Sequence, residues 1–243
     1  MKKTTLHLVA FCLSAFAVFT ITSCQPDEVS STDKDATLEW RTNPNSFIYP
    51  PSAHPFGKSY EEWGEEFWKA SYAVGCEVLL TGGLIELSDD VITYSALVGD
   101  SEVDLTISKD QALFLPLSAV VYDYPCPDPA FEPAEGQSLE DFLQEGAIAY
   151  LEPIENLSFS FDGVAVENLE DYLFLSDLFY FTGNPELAEC YDPCITGEPQ
   201  PGVHHGYTLM LKKMNPGLHT IQMHGEVPMY EFTWDMTLNI TVQ

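Results

Sequence analysis

Basic residues are scarce in this sequence. Lys and Arg together number 9 against 38 Asp and Glu in 243 residues, which gives a formal net charge of -29 at pH 7. A protein that binds nucleic acid or an anionic lipid surface needs clustered Lys and Arg to displace counterions. The composition therefore excludes nucleic acid as a predicted partner, and the acidity itself is typical of a soluble exported protein.

The motifs of several enzyme classes are also missing. The sequence contains no Gly-x-Ser-x-Gly elbow, no His-Glu-x-x-His motif, no glycine-rich phosphate loop and no Asp-x-Asp-x-Asp-Gly loop. We predict no cofactor, and calcium is compatible with the acidity although no motif indicates it. A retaining glycosidase needs two carboxyl groups about 5.5 Å apart. Many acidic side chains could supply them but fit a solvated surface equally well, among them Glu61, Glu65, Glu86, Asp89, Glu152 and Glu155.

The apolar run near the N-terminus is too short to span a bilayer. It extends over 16 residues, from Leu6 to Ile21, whereas a spanning helix needs about 20 apolar residues. Two lysines precede this run and two small residues follow it. This order predicts a secretory signal peptide over residues 1–23 that is cleaved from the mature protein.

The stretch around the predicted cleavage point suggests a lipid anchor. Ile21-Thr22-Ser23-Cys24 resembles the bacterial lipobox, which implies that Cys24 becomes the lipidated first residue of the mature chain. The alternative is ordinary signal cleavage, with Cys24 as an incidental thiol. The following Gln25-Pro26-Asp27-Glu28 resembles the surface-export signal of Bacteroidota lipoproteins. We expect a lipoprotein of the outer membrane or cell surface, held through Cys24 by a flexible tether over residues 24–53.

Four cysteines remain in the mature domain: Cys76, Cys126, Cys190 and Cys194. An even number of cysteines in an oxidising compartment predicts two disulfides. Because Cys190 and Cys194 lie in one Pro- and Gly-rich loop, we expect a local bridge between them and a second bridge from Cys76 to Cys126. The other connectivities remain open. A zinc site is disfavoured because the sequence offers no second cysteine pair.

Two helices are predicted from apolar spacing and end signals. The first covers residues 60–74, where Ser59 and Glu62 form a capping box and Gly75 supplies the stop. The second covers residues 139–151, with Ser138 as its N-cap.

Most of the remaining chain alternates between apolar and polar residues, as strands do. The clearest run covers residues 230–242, and residues 112–122 are apolar on both faces, as in a central strand. A further strand is predicted within residues 173–181. Three turns predict hairpins. The turn at Asp162-Gly163 would pair Phe161 with Val164 and Phe159 with Val166, and the turn at Gly99-Asp100 would pair Tyr94 with Leu105 and Ile92 with Ile107. The turn at Asn215-Pro216-Gly217 would pair Leu211 with Ile221 and Leu209 with Met223.

These elements predict the fold class. Many hairpins with one solvated face are typical of a mainly β protein built as an antiparallel two-sheet sandwich, jelly-roll-like or immunoglobulin-like. The two helices would lie at its periphery, where they cap an open end or an edge. The sandwich domain is expected to cover residues 54–243.

Five short blocks in collinear order carry a family resemblance. They are His54-Pro-Phe-Gly-Lys-Ser-Tyr-Glu-Glu-Trp63, Gln111-Ala-Leu-Phe-Leu-Pro116, Asp162-Gly-Val-Ala-Val-Glu-Asn-Leu169, Gly206-Tyr-Thr-Leu-Met-Leu211 and Pro216-Gly-Leu-His-Thr-Ile221. Together they resemble an uncharacterised family of secreted bacterial β-rich proteins with a Phe/Tyr-Gly-Lys-Ser/Thr-Tyr-x-Glu-Trp opening motif. The resemblance implies a β-rich fold and export, and it assigns no site residue.

Two groups of side chains are candidate ligand-binding sites. Trp63, Trp68 and Tyr72 could form a flat aromatic platform for sugar rings, whereas the alternative places these rings in the core. His204 and His205 could bind a metal together with a carboxylate from elsewhere. Their alternative is a solvated loop before a strand that starts at Tyr207.

The sequence favours a binding role over catalysis. We expect a non-catalytic module that binds a glycan or another extracellular partner, such as an envelope protein, because export signals accompany a β-rich pattern without a catalytic signature. The alternatives are a secreted carboxylate-dependent hydrolase acting on polysaccharide and a structural component of the cell envelope.

Overall fold

The computed structural model describes residues 45–95 and 101–243. The predicted signal peptide, the lipidation site at Cys24 and most of the predicted tether lie outside the described residues. Among the described residues, no helix has the length and apolar character needed to cross a membrane.

Two packed β-sheets confirm the predicted sandwich. The first sheet has the order β1 (Gly83–Ser88), β2 (Val91–Ser95), β4 (Ala112–Asp123), β9 (Pro199–Leu211) and β7 (Leu173–Leu175), and β8 (Phe179–Thr182) also pairs with β9. The second sheet has the order β3 (Ser101–Ile107), β11 (Phe232–Val242), β10 (Gly217–Val227), β5 (Glu155–Phe161) and β6 (Val164–Ala165). Most neighbours are antiparallel, but β2 with β4 and β3 with β11 run parallel.

Two of the three predicted hairpins are wrong, because the chain changes sheet where a hairpin was expected. After β2, the chain enters the second sheet, where Leu105 pairs with Ile240 instead of Tyr94. After β9, it changes sheet again, so Ile221 pairs with Phe161 and Leu238 instead of Leu211. Two strands that face each other across the core also turn their apolar side chains inward. The alternating pattern therefore cannot distinguish a hairpin from a crossing between sheets.

The third hairpin forms in the predicted register. Phe161 pairs with Val164, and the Val166 amide donates to the Phe159 carbonyl at 2.9 Å. The turn residues Asp162 and Gly163 have φ values of 49° and 75°. Two successive positive φ values are what a two-residue type I′ turn requires, and an Asp-Gly pair adopts them readily.

The last strand, β11, confirms the predicted alternation. Trp234, Met236, Leu238, Ile240 and Val242 are buried on one side of the strand. The strand begins at Phe232 rather than Tyr230, because residues 228–230 form a short 3-10 turn that leaves the Tyr230 ring exposed. The predicted strand over residues 173–181 is likewise interrupted between β7 and β8.

Both predicted helices are present. Helix α1 (Tyr60–Ala73) has the complete capping box, in which Ser59 Oγ accepts from the Glu62 amide at 3.3 Å and Glu62 Oε2 accepts from the Ser59 amide at 2.7 Å. The short α2 (Cys76–Thr81) follows it. Helix α3 (Leu139–Leu151) begins at the predicted N-cap Ser138, and the one-turn α4 (Leu187–Cys190) precedes β9. Helix α1 packs on β9, and α3 packs on β4 and β9.

All four domain cysteines are paired, but the predicted connectivity is wrong. The bridges join Cys76 to Cys190 and Cys126 to Cys194. Closeness in sequence suggested a local Cys190 to Cys194 bridge, whereas packing brings the start of α2 and the end of β4 beside this segment. The disulfides indicate an oxidising environment. They also anchor both ends of the three-residue segment from Tyr191 to Pro193, which lies between Cys190 and Cys194.

Candidate functional site

The predicted aromatic platform is buried. Trp63, Trp68 and Tyr72 are 1%, 6% and 2% exposed on the packed side of α1. Trp63 Nε1 donates to the Pro55 carbonyl at 2.9 Å, and Trp68 Nε1 donates to Nδ1 of His204 at 2.9 Å. The three side chains are therefore packed in the core, as the alternative predicted, and they form no exposed platform for a sugar ring.

His204 and His205 lie inside β9, so the expectation of a solvated loop before Tyr207 is wrong. Consecutive residues of a strand point to opposite faces, and these two side chains therefore do not converge on one metal ion. Burial, and then the neighbouring His205, lower the pKa of His204 to about 3, which keeps the imidazole neutral. Nδ1 of His205 bonds the Phe174 carbonyl at 2.9 Å. Both rings have structural partners.

Gly64 explains why His204 can lie against α1. A Cβ atom at position 64 would collide with the imidazole ring of His204. The missing side chain lets the helix approach β9 closely enough for the Trp68 hydrogen bond to form. A glycine at position 64 is therefore needed for His204 to be buried against α1.

Sequence reasoning missed a pair of carboxylates at the disulfides. Among the described residues, Asp123, Asp192 and Cys194 form the one group of three potential metal ligands, with ligand atoms within 4.8 Å of one another. The Cys194 sulfur is used in the disulfide, so two carboxylates remain. Asp123 precedes Cys126 by three residues and Asp192 precedes Cys194 by two. With knowledge of the Cys126–Cys194 disulfide, the sequence would have predicted that Asp123 and Asp192 lie close together.

The two carboxylates differ in environment. Asp123 is 4% exposed and accepts a short hydrogen bond from Gln200 Nε2. Burial, and then the charge of Asp192, raise the pKa of Asp123 to about 7. Asp192 is half-buried and accepts from the Tyr72 hydroxyl at 3.1 Å. The Asp123 carboxyl group therefore keeps its proton well above the pH at which an exposed carboxyl group loses it.

The described residues form a cleft of about 650 Å³. We call it the end cleft, because it lies where β2 and β10 finish and β11 begins. Its walls come from α1, the middle of β4, the C-terminal part of α3 and the turn between β10 and β11. It is lined by Phe67, Trp68, Leu79, Ser95, Pro116, Leu117, Ser118, Ala119, Ala149, Tyr150, Pro153, Ile154, Tyr191, Val227, Tyr230, Phe232 and Trp234.

The lining of the end cleft is apolar and uncharged. Aromatic and aliphatic side chains dominate it, and its polar side chains are the hydroxyls of Ser95, Ser118, Tyr150, Tyr191 and Tyr230. None of the described residues that line it is Asp, Glu, His, Lys or Arg. This is notable in a chain with 38 acidic residues. The volume lies in the range of about 300–1,000 Å³ that is typical of small-molecule sites.

Aromatic rings at the mouth of the cleft are exposed. Tyr150, Tyr230 and Phe232 are 59%, 71% and 44% exposed. Phe232 stacks on Trp234 with ring centroids 5.9 Å apart, because residues two apart on a strand share a face. Gly225 lies opposite Trp234 on β10, and a Cβ atom there would collide with the indole. The cleft therefore depends on a small residue behind its aromatic wall.

Tyr191 joins the end cleft to the carboxylate pair. Its ring lines the cleft and meets Tyr72 edge to face, with centroids 5.9 Å apart. Tyr72 in turn bonds Asp192. The two disulfides, at Cys190 and Cys194, lie on either side of Tyr191 in the chain and so hold this part of the cleft wall in place.

No protein-family model, curated protein or solved structure matches this chain in the three comparisons. The resemblance to the family of secreted bacterial β-rich proteins therefore stays a prediction. The evidence for function is the geometry of the end cleft.

Proposed function

We propose that this chain is an exported, non-catalytic binding protein whose site is the end cleft. One observation carries the proposal: a cleft of about 650 Å³ lined by aromatic, aliphatic and hydroxyl side chains. A cavity that is mostly apolar, with a few hydroxyls, suits a small molecule with a large apolar part. Burying that apolar surface would supply the binding free energy, at roughly 25 cal/mol per Å² removed from water.

The chemistry of the lining favours an apolar ligand over a glycan. A sugar ring offers an apolar face, which the aromatic wall could meet, but it also carries many hydroxyl groups. Burying hydroxyls without hydrogen-bonding partners is costly. Among the described lining residues, no carboxylate or amide side chain is available to bind them. We therefore propose a predominantly apolar ligand instead of the glycan that the sequence suggested.

The same lining favours binding over hydrolysis. Carboxylate catalysis needs acidic side chains that reach the substrate. The close pair, Asp123 and Asp192, does not line the cleft, although Tyr72, which bonds Asp192, contacts Tyr191 in the cleft wall. No described carboxylate or histidine lines the cleft. We therefore do not assign a reaction to this site.

Export and lipid anchoring at Cys24 belong to the same proposal. The disulfides are consistent with an oxidising compartment, and the N-terminal residues have the order of a lipoprotein signal. Mass spectrometry of the mature protein tests the anchor. We expect a lipid-modified N-terminal Cys24 in the native chain and an unmodified N-terminus in a Cys24→Ser variant. An unmodified N-terminus in the native protein would refute the lipid anchor and leave the proposed binding site untouched.

Binding of an uncharged fluorescent probe tests the function of the end cleft. N-phenyl-1-naphthylamine brightens when it enters an apolar site, and we expect saturable binding to the domain. Ala149 lines the cleft but is exposed on α3, so Ala149→Trp fills the cleft without overpacking the core. This variant should bind the probe at least about tenfold more weakly, which corresponds to about 1.4 kcal/mol.

The matched control is Ala165→Trp, which places the same side chain at an exposed position on β6, outside the cleft lining. It should bind the probe as the unmodified chain does. Thermal unfolding of both variants checks that each is folded. Absence of saturable binding, or equal weakening by both substitutions, would contradict the proposed function.

A further inference from the structure

The chain segments that line the mouth of the end cleft carry acidic residues next to the lining positions. Glu152 adjoins Pro153, Glu155 adjoins Ile154, Glu226 adjoins Val227, and Glu231 lies between Tyr230 and Phe232. Glu152, Glu155 and Glu231 are exposed and Glu226 is half-buried. Carboxylates therefore adjoin, along the chain, the residues that line an uncharged interior.

Three of these four carboxylates have no ion pair within the described residues. Glu152, Glu155 and Glu231 make no ion pair with any other residue between 45–95 and 101–243. Glu155 lies directly opposite Glu226 across β5 and β10. Glu226 itself is paired with His224 at 3.2 Å and accepts from the Asn156 amide at 2.7 Å, so the carboxylates without an ion pair in this group are Glu152, Glu155 and Glu231.

His224, at 3.2 Å from Glu226, is the basic side chain that pairs with a carboxylate of this group. Lys58, Lys69 and Lys213 pair with carboxylates outside the cleft, and no lysine of the described chain lines it. Because the whole chain has a formal net charge of -29, we expect a negative potential at this opening. An anionic ligand, such as a fatty acid, would be repelled, whereas a cation would be attracted.

The exposed rings at the mouth offer a second attraction for a cation. The rings of Tyr150, Tyr230 and Phe232 are exposed, and Glu231 lies between two of them in the chain. The negative face of an aromatic ring attracts an ammonium group, and quaternary ammonium ligands are commonly bound between such rings. Aromatic faces and nearby carboxylates therefore favour the same sign of charge.

From this combination we propose that the ligand of the end cleft is a hydrophobic cation, an amine or quaternary ammonium group attached to an apolar body. The apolar body lies against Phe67, Trp68 and Trp234, and the cationic group lies at the mouth, between the exposed rings and Glu152, Glu155 and Glu231. The inference rests on the proposed function, since it names the class of ligand that the same cleft takes.

Displacement of the bound N-phenyl-1-naphthylamine tests the class of ligand. Three competitors share a dodecyl chain and differ in charge: dodecyltrimethylammonium, dodecanol and dodecyl sulfate, each used below its micelle concentration at physiological salt. We expect the ammonium compound to displace the probe at a concentration about tenfold lower than dodecanol, a difference of about 1.4 kcal/mol. The sulfate should be weaker than the alcohol. Equal displacement by ammonium and alcohol, or stronger displacement by the sulfate, would overturn the inference.

Charge variants separate binding at the cleft from attraction to an acidic surface. The ratio between the displacing concentrations of dodecanol and dodecyltrimethylammonium should fall toward one in the Glu152→Gln/Glu155→Gln variant. The matched control, Asp89→Asn/Asp110→Asn, removes the same charge from exposed positions at the opposite end of the sandwich and should keep the ratio. An equal fall in both variants would overturn the inference.

The aromatic contribution has its own variant. Tyr230→Leu/Phe232→Leu keeps an apolar surface and removes two ring faces, and it should lower the ratio by about threefold to fivefold, the effect expected of an exposed cation–π contact. An unchanged ratio would overturn the assignment of the cationic group to these rings. If the probe does not bind the unmodified chain at all, the proposed function fails. If it binds without preference for the cation, only the ligand class fails.

Discussion

The buried carboxyl group of Asp123 should make the domain less stable as the pH rises. Burial and the charge of Asp192 raise the pKa of Asp123 in the folded state from 3.8 to about 7. In the unfolded chain the group loses its proton near its ordinary pKa. Between about pH 4 and pH 7 the unfolded state therefore binds fewer protons than the folded state. The contribution of Asp123 to the free energy of unfolding falls through this window and levels off above pH 7.

The magnitude follows from the two pKa values. A tenfold change in an ionisation constant corresponds to about 1.4 kcal/mol, so the difference between 3.8 and about 7 corresponds to about 4 kcal/mol. Asp123→Asn removes the ionisation and keeps an oxygen that can accept from Gln200, while the nearby Asp192 carboxylate can accept from the new amide. We expect the variant to be more stable than the unmodified chain by about 2–4 kcal/mol near pH 8, and within about 1 kcal/mol of it near pH 4.

Urea unfolding of both chains across this pH range, with the disulfides intact, measures the difference. Comparison with the unmodified chain cancels the contributions of the other acidic groups. The control is Asp89→Asn, an exposed carboxyl group, which should change the free energy of unfolding by less than about 0.5 kcal/mol at every pH. A variant that is less stable near pH 8, or a difference that does not grow with pH, would refute the reasoning.

Two further predictions concern the support of the end cleft, and both are measured by urea unfolding. Gly225→Ala should lower the free energy of unfolding by about 1–3 kcal/mol and weaken probe binding, because the new methyl group collides with the Trp234 indole. The control is Gly83→Ala, whose new methyl group would lie 3.3 Å from its nearest neighbour, a methyl carbon of Val78. This control should cost less than about 1 kcal/mol. Trp68→Phe should cost about 1–3 kcal/mol, because it leaves Nδ1 of the buried His204 without its donor, and a loss below about 0.5 kcal/mol would contradict the role assigned to that hydrogen bond.

The parts of this fold that sequence reasoning predicted are those set by neighbouring residues. The capping box at Ser59 and the Asp162-Gly163 turn are decided within four residues of chain, and both form as predicted. The alternation along β11 was also correct, because one side of that strand faces the core along its length. Each of these signals is local, so no distant partner has to be known to interpret it.

The predictions that failed needed knowledge of distant partners. The turn at residues 215–217 connects strands in different sheets, and the Cys190 partner is Cys76 rather than Cys194. An apolar face looks the same in sequence whether it meets a hairpin neighbour or the opposite sheet. Cysteine spacing likewise records separation along the chain and says nothing about which elements pack together.

The amino-acid sequence by itself determined a strongly acidic, mainly β domain with two capped helices, and its four cysteines indicated an oxidising compartment. Only the tertiary structure decided which sheet each strand joins, which cysteines pair, and where an uncharged cleft opens. That cleft is assembled from α1, β4, α3 and the start of β11, whose lining residues are separated by up to about 170 positions. Its chemistry arises from the packing of two sheets and their helices, and no local pattern of residues encodes such packing.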